Sequence, residues 1–276
     1  MKSKLAKLLS IALIVILVVS VVGAPVYADK YEPVYVTDEN GTTCTGDFDC
    51  LVSGQIIFYP SDLSESDTTY PVVVWANGTM CAPVLYYELL SEIASQGYIV
   101  VTNTDVMSGD GSSQIESLDY IFAENEDETS IFYNKVDTEH AAAAGHSQGG
   151  RSSVNAAAAD TRFDCVLSIA GSNFTYEAKK LSTPVFFTTG TLDTIVMSDL
   201  WVKPAYNKCT GPAVYASLKG GLHTSCCLKP AAYSCYAVSW FDYWLKGDSS
   251  AIELFKENGS LSADSGWTSY RSKGLE

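Results

Sequence analysis

Gly145-His146-Ser147-Gln148-Gly149 constrains this chain more than any other stretch of its sequence. It stands between residues 140–144, a small-residue run that can serve as a strand, and residues 148–159, which read as a helix. A serine hydroxyl is a weak nucleophile and must stand clear of the backbone, within reach of a base. A sharp strand-to-helix turn achieves this, and glycines two residues either side of Ser147 avoid clashes between the crossing strand and helix. The helix start also aims N–H groups and a positive dipole end at developing negative charge. Such a turn needs a sheet behind it.

The rest of the sequence supplies one. Short apolar runs alternate with helical patterns, which predicts an α/β fold with a mostly parallel sheet covered by helices. Strands are expected at residues 55–59, 70–75, 98–102, 163–170, 183–189 and 214–218, the last of these closing the sheet. The run Tyr-Pro-Val-Val-Val-Trp at 70–75 is apolar without alternation, as a strand covered on both faces should be. Helices are expected at 86–94, 114–123 and 231–245, the last ending at Gly247. The alanines flanking Gly145 read as close packing of helix on sheet. Hydrophobic residues make up 47% of the 276 positions, enough for one well-cored domain and too few residues for two generous ones.

Three histidines are available as the base. His140 begins the strand leading into the turn and would sit at its far end. His146 adjoins the nucleophile, so its side chain points away and packs beside the turn. His223, in Lys-Gly-Gly-Leu-His after the presumed last strand, remains. An orienting acid should lie between them in sequence. Asp193, in Gly-Thr-Leu-Asp just past the 183–189 strand, fits, because catalytic groups of parallel sheets gather at the C-terminal ends of strands. It would hold the His223 imidazole in the productive tautomer. Asp199 is the runner-up. An oxyanion hole needs two backbone N–H groups. Gln148 follows the nucleophile and should supply one; Thr79, in the loop Ala76-Asn77-Gly78-Thr79-Met80, should supply the other, with Met80 as its alternative. Met80, Trp75 and Phe174 are candidate pocket walls, each equally readable as core.

The N-terminus reads as an export signal. Lys2, Lys4 and Lys7 precede an apolar run at residues 8–22, and Val26-Tyr27-Ala28 presents a cleavage site. The expected mature chain is residues 29–276, a single catalytic domain, secreted, monomeric and without stable membrane insertion. A retained anchor is the rival, though the apolar run is short for a span of about 20 residues. Eight cysteines fit an oxidising compartment. Cys44 and Cys50 could close a local loop, Cys209, Cys226, Cys227 and Cys235 are expected to staple the loop carrying His223, and Cys165 reads as a buried free thiol. No repeated Cys-x2-Cys pair is present, so zinc is not expected. A net charge of −15 repels polyanions and argues against nucleic acid as a partner.

Together, Trp-Ala-Asn-Gly-Thr, Gly-His-Ser-Gln-Gly-Gly, Gly-Thr-Leu-Asp, Gly-Gly-Leu-His and the closing Ser-Trp-Phe-Asp-Tyr-Trp-Leu-Lys-Gly-Asp resemble the secreted cutinase and polyester-hydrolase branch of the α/β-hydrolase superfamily. That branch is related to dienelactone-hydrolase-like and chlorophyllase-like esterases. The resemblance implies an α/β-hydrolase fold and a serine esterase without metal or organic cofactor, acting on lipid, polymer or small acyl esters. It assigns Ser147, Asp193 and His223 to the triad, and Thr79 and Gln148 to the oxyanion hole. Polyester hydrolases of that branch usually carry an aromatic residue where Thr79 stands and Met where Gln148 stands, and many carry Trp in the region of Gly171-Ser172-Asn173-Phe174. Few residues join the 163–170 and 183–189 strands, leaving no room for a helical lid. A peptidase on the same triad and a non-catalytic binding protein on the same scaffold are the rival readings.

Overall fold

A computed structural model describes residues 54–171 and 177–275. Eight strands form one sheet: β1 (Gln55–Phe58), β2 (Tyr70–Ala76), β3 (Ile99–Asn103), β4 (Val136–His146), β5 (Phe163–Ile169), β6 (Val185–Gly190), β7 (Ala213–Leu218) and β8 (Trp267–Lys273). Their spatial order is β1-β3-β2-β4-β5-β6-β7-β8. The six central strands run parallel, and β1 and β8 flank them antiparallel. The long helices are α1 (Tyr87–Ala94), α2 (Ser112–Glu126), α3 (Gln148–Ala159) and α6 (Ala231–Lys246); α4 (Lys203–Lys208) and α5 (Ser225–Leu228) are short. This is the expected α/β architecture, a mostly parallel sheet with helices on both faces.

All seven residues of β2 are buried, as its unbroken apolar run demands. Its side chains split by parity: Val73 and Trp75 enter one core layer with Tyr86, Leu89 and Trp240. Val72 and Val74 enter the other with Leu118, Ile121 and Val154. Each fully buried Val, Leu or Phe of this kind contributes roughly 1.5–3 kcal/mol. Trp75 is therefore a core residue, its ring 5.0 Å from that of Tyr86, and not a pocket wall. Helix α6 ends at Gly247, whose φ of 67° is the left-handed cap that lets the chain leave the helix.

The sheet does not close at β7. Strand β8 pairs antiparallel with it, Leu218 opposite Trp267 and Ala213 opposite Lys273. Only Trp267 of that strand is buried, so the apolar signal that marks the interior strands is missing from Trp-Thr-Ser-Tyr-Arg-Ser-Lys. Strand β4 is longer than its alanine core: Val136 pairs with Tyr70, the register then shifts, and pairing with β2 resumes at Ala141 opposite Val72, past the polar residues Asp137 to His140. The small residues around the turn serve the close approach of α3, in which Gly149, Gly150, Ser152, Ser153, Ala156 and Ala157 are all buried.

The six cysteines among the described residues carry free thiols, so the expected staple of the His223 loop is not formed among them. Cys209 packs into one core layer and Cys226 into the other, on opposite faces of the sheet, while Cys235 is exposed. Cys165 is buried and unpaired, and burial raises its thiol well above the ordinary value. Cys44, Cys50, Phe174 and the segment expected to be an export signal lie outside the described residues.

Candidate active site

Ser147 occupies the turn between β4 and α3 with φ 57° and ψ −119°, a conformation costly for a residue with a Cβ. The flanking glycines make it possible. A Cβ on Gly149 would lie 2.0 Å from the Ala76 carbonyl oxygen, and one on Gly145 would lie 2.5 Å from the Gly149 backbone. The Ser147 N–H donates to the Ile169 carbonyl at 2.8 Å, which ties the strained turn to β5.

Three side chains from three loops meet here. Ser147 Oγ lies 2.9 Å from His223 Nε2, and His223 Nδ1 lies 2.8 Å from Asp193 Oδ2. Asp193 follows β6 and His223 follows β7, so both arrive at the C-terminal edge of the parallel strands, where β4 delivers Ser147. The Asp193 carboxylate is fully buried, and its other oxygen accepts the N–H groups of Ile195 (2.9 Å) and Val196 (2.8 Å). Burial works to raise its pKa, but the His223 hydrogen bond and these two amides outweigh it and hold the carboxyl below the ordinary value. Asp199 lies elsewhere, exposed and paired with Lys203 at 3.1 Å.

The loop after β2 is fixed from below by Asn77. Its fully buried side chain donates to the carbonyls of Asn103 (2.7 Å) and Asp105 (3.0 Å), stitching this loop to the end of β3. The Met80 N–H donates to the Val106 carbonyl at 2.9 Å and is thereby committed. That engagement counts against Met80 as the alternative oxyanion donor. The Gln148 N–H, at the first position of α3, has no acceptor one turn back within its own helix. The Gln148 side chain packs on Gly109, where a Cβ would meet its Cγ at 3.1 Å. The Met80 side chain is 74% exposed beside this loop.

His146 does more than pack beside the turn. It is buried, with Nε2 2.8 Å from the His223 carbonyl oxygen and Nδ1 2.9 Å from the Tyr86 hydroxyl. Neither link is visible in sequence, because the partners lie 60 and 77 positions away. His146, Cys226 and Cys227 also bring potential metal-ligand atoms within 4.8 Å of one another. Both His146 nitrogens are already engaged, however, and the remaining thiol pair falls short of the four ligands that zinc takes. His140 sits exposed on β4, hydrogen-bonded to Asp137 at 2.8 Å. It also borders a cleft of about 570 Å³ with Tyr70, Pro71 and Lys246, at the N-terminal edge of the sheet. That cleft contains none of Ser147, Asp193 or His223.

Burial, with His223 adding a smaller push, lowers the His146 pKa from 6.5 to about 3. Because the folded value is the depressed one, the unfolded chain binds the extra proton as pH falls below 6.5. Stability from this residue is full above that pH and is lost towards about 3. The expected slope is about 1.4 kcal/mol per pH unit across that window. Urea denaturation between pH 4 and 7 should show this slope in the wild type and lack it in His146→Gln. Equal slopes in both would refute the assignment.

These distances frame the comparison with known proteins. The family model described as PET hydrolase-like matches residues 41–270. The chain belongs to the PET hydrolase-like family. Among curated relatives it is similar to the cutinase est2 of Thermobifida alba, 24% identical over 202 residues that make up 71% of this chain and 65% of the relative. It is also similar to a bis(hydroxyethyl) terephthalate hydrolase of Streptomyces coelicolor, 26% identical over 71% of this chain and 63% of that protein. Cutinase est1 of Thermobifida alba is 23% identical over 71% of this chain and 66% of its own length. The chain thus spans just under two thirds of the length of these relatives. No helix among the described residues is long and apolar enough to cross a membrane.

Proposed function

We propose that this protein is a secreted serine esterase that hydrolyses carboxylic esters through an acyl-enzyme on Ser147. The observation that carries the reading is the continuous hydrogen-bonded path from Ser147 through His223 to the buried Asp193 carboxylate. His223 Nε2 takes the hydroxyl proton as Ser147 Oγ attacks the ester carbonyl, while Asp193 holds the ring and stabilises the imidazolium. The N–H groups of Thr79 and Gln148 receive the oxyanion. His223 then returns the proton to the leaving alcohol, and a water activated by the same nitrogen releases the acid.

The substrate class follows from the surroundings of the site and from the relatives. Met80, Met107, Leu192, Ile195 and Leu222 are all at least half exposed, on loops at the sheet edge that carries Ser147. Exposed apolar side chains gathered at one edge suit an apolar ligand. The relatives act, by name, on cutin and on a terephthalate ester. Short-to-medium acyl esters and polyesters are therefore the proposed substrates, with residues 1–28 as a cleaved signal and residues 29–276 as one catalytic domain.

The test is hydrolysis of p-nitrophenyl esters from acetate to palmitate by the mature chain, beside Ser147→Ala. Turnover of the shorter esters, lost in the variant, is expected. Folded protein inert on every ester, yet active on a peptide or amide, would replace this reading with the peptidase one.

A further inference from the structure

The bonds around His146 have a fixed direction. The His223 carbonyl can only accept, so the 2.8 Å contact requires the proton of His146 to sit on Nε2. A neutral imidazole carries one N–H, which leaves a lone pair on Nδ1, and the Tyr86 hydroxyl must donate to it at 2.9 Å. The Tyr86 oxygen in turn accepts the Gly78 N–H at 3.1 Å. The path therefore runs one way, from Gly78 N–H to Tyr86 O–H to His146 Nε2–H to the His223 carbonyl.

Both ends of this path are functional. Gly78 is the residue before Thr79, and His223 is the base. Its middle is rigid: Tyr86 is 0% and His146 1% exposed, Tyr86 at the entry to α1 and His146 at the end of β4. Burial holds His146 neutral and pushes the Tyr86 hydroxyl far up, so neither changes its protonation in the working range of an esterase. There is also no slack at the Gly78 end. A Cβ there would lie 3.1 Å from the Tyr86 oxygen, 3.2 Å from His146 Nδ1 and 3.3 Å from Cys81 Sγ.

We propose that Tyr86 and His146 are positioning residues that set the oxyanion loop and the His223 backbone in register, so that base and oxyanion donors are placed together. The proposal rests on the esterase reading above. It assigns His146 a role in turnover although its side chain is buried and both its ring nitrogens are engaged within the protein. Losing the Tyr86 hydroxyl frees His146 to take the other tautomer, which would set an Nε2 lone pair against the His223 carbonyl oxygen and push the base out of place.

The experiment compares Tyr86→Phe, His146→Gln, His146→Leu and the double variant Tyr86→Phe/His146→Leu in the purified protein. Tyr86→Phe should lower kcat for p-nitrophenyl butyrate about 10-fold and His146→Leu about 100-fold, with KM within about twofold, as expected when reacting groups shift without loss of binding. His146→Gln keeps an N–H near the Nε2 position and should recover much of the loss. The double variant should be no worse than His146→Leu alone, because one path is cut either way. The downfield proton resonance of His223 Nδ1–H, shared with Asp193, should move in Tyr86→Phe. Wild-type kcat in Tyr86→Phe, or losses that multiply in the double variant, would overturn the relay. If His146→Leu does not fold, Tyr86→Phe, which removes one oxygen atom, still decides the question. Ser147→Ala keeps the two proposals apart. Were it to retain hydrolysis, the esterase reading would fail, while the His223 proton resonance would still report on the relay.

Discussion

Ser147→Ala is expected to lower kcat for p-nitrophenyl butyrate by about 10⁶-fold, and adding His223→Ala should lower it no further. The reason lies in how the two groups share one event. In the proposed mechanism His223 takes the proton from Ser147 Oγ, 2.9 Å away, and without the hydroxyl there is no proton to take. What remains in either variant is substrate binding and the oxyanion donors, roughly 10³- to 10⁴-fold over water. The amides of Thr79 and Gln148 belong to the backbone, so both substitutions leave them in place. The check is a cycle of the two single variants and the double one, with active-site titration to exclude wild-type contamination. A further loss of about 10³-fold or more in the double variant would mean that His223 acts on something other than Ser147.

How much of this was legible in the sequence depended on distance along the chain. The turn around Ser147 is local. Gly145 and Gly149 stand within two residues of the serine, and the clash each avoids, against Ala76 or Gly149 backbone, follows from the strand-to-helix crossing itself. Helix α3 accordingly begins and ends where its pattern predicts. Strand β2 announced itself because both its faces are buried. By contrast, β8 buries Trp267 alone and depends on β7 for its identity, so its polar sequence gave no warning.

The site divides in the same way. Asp193 and His223 could be singled out as partners for Ser147 because they follow β6 and β7, later strands whose C-terminal ends lie at the same edge of the sheet. Tyr86 and Asn77 could not, since each matters through a partner fixed only by the tertiary fold. Tyr86 reads as the first residue of an amphipathic helix, and Asn77 as one more polar residue in a loop. A buried position for either would have been the signal, and burial is not written at the level of single residues. The cysteines misled for a related reason. Cys209 and Cys226 are near in sequence, but β7 passes between them and puts them on opposite faces of the sheet.

Asp193→Asn should cost about 10⁴-fold in kcat while leaving the fold intact. Asp193 Oδ1 accepts two backbone N–H groups, from Ile195 and Val196, and Oδ2 faces His223 Nδ1. An asparagine in this place has one oxygen and one NH₂. The two amides can only donate, so they would claim the oxygen and turn the NH₂ towards His223. Nδ1 would then have to accept, which moves the imidazole proton to Nε2, where it meets Ser147 Oγ. The ring would stand in the right place with the wrong nitrogen protonated, unable to act as a base. KM should change little, because Asp193 is buried beneath the histidine and out of reach of substrate. The measurement is kcat and KM for p-nitrophenyl butyrate, with thermal unfolding to confirm that the loop after β6 is retained. A loss of less than about tenfold would show that His223 keeps its productive tautomer without Asp193. Its orientation would then rest on the backbone, through the carbonyl that His146 holds.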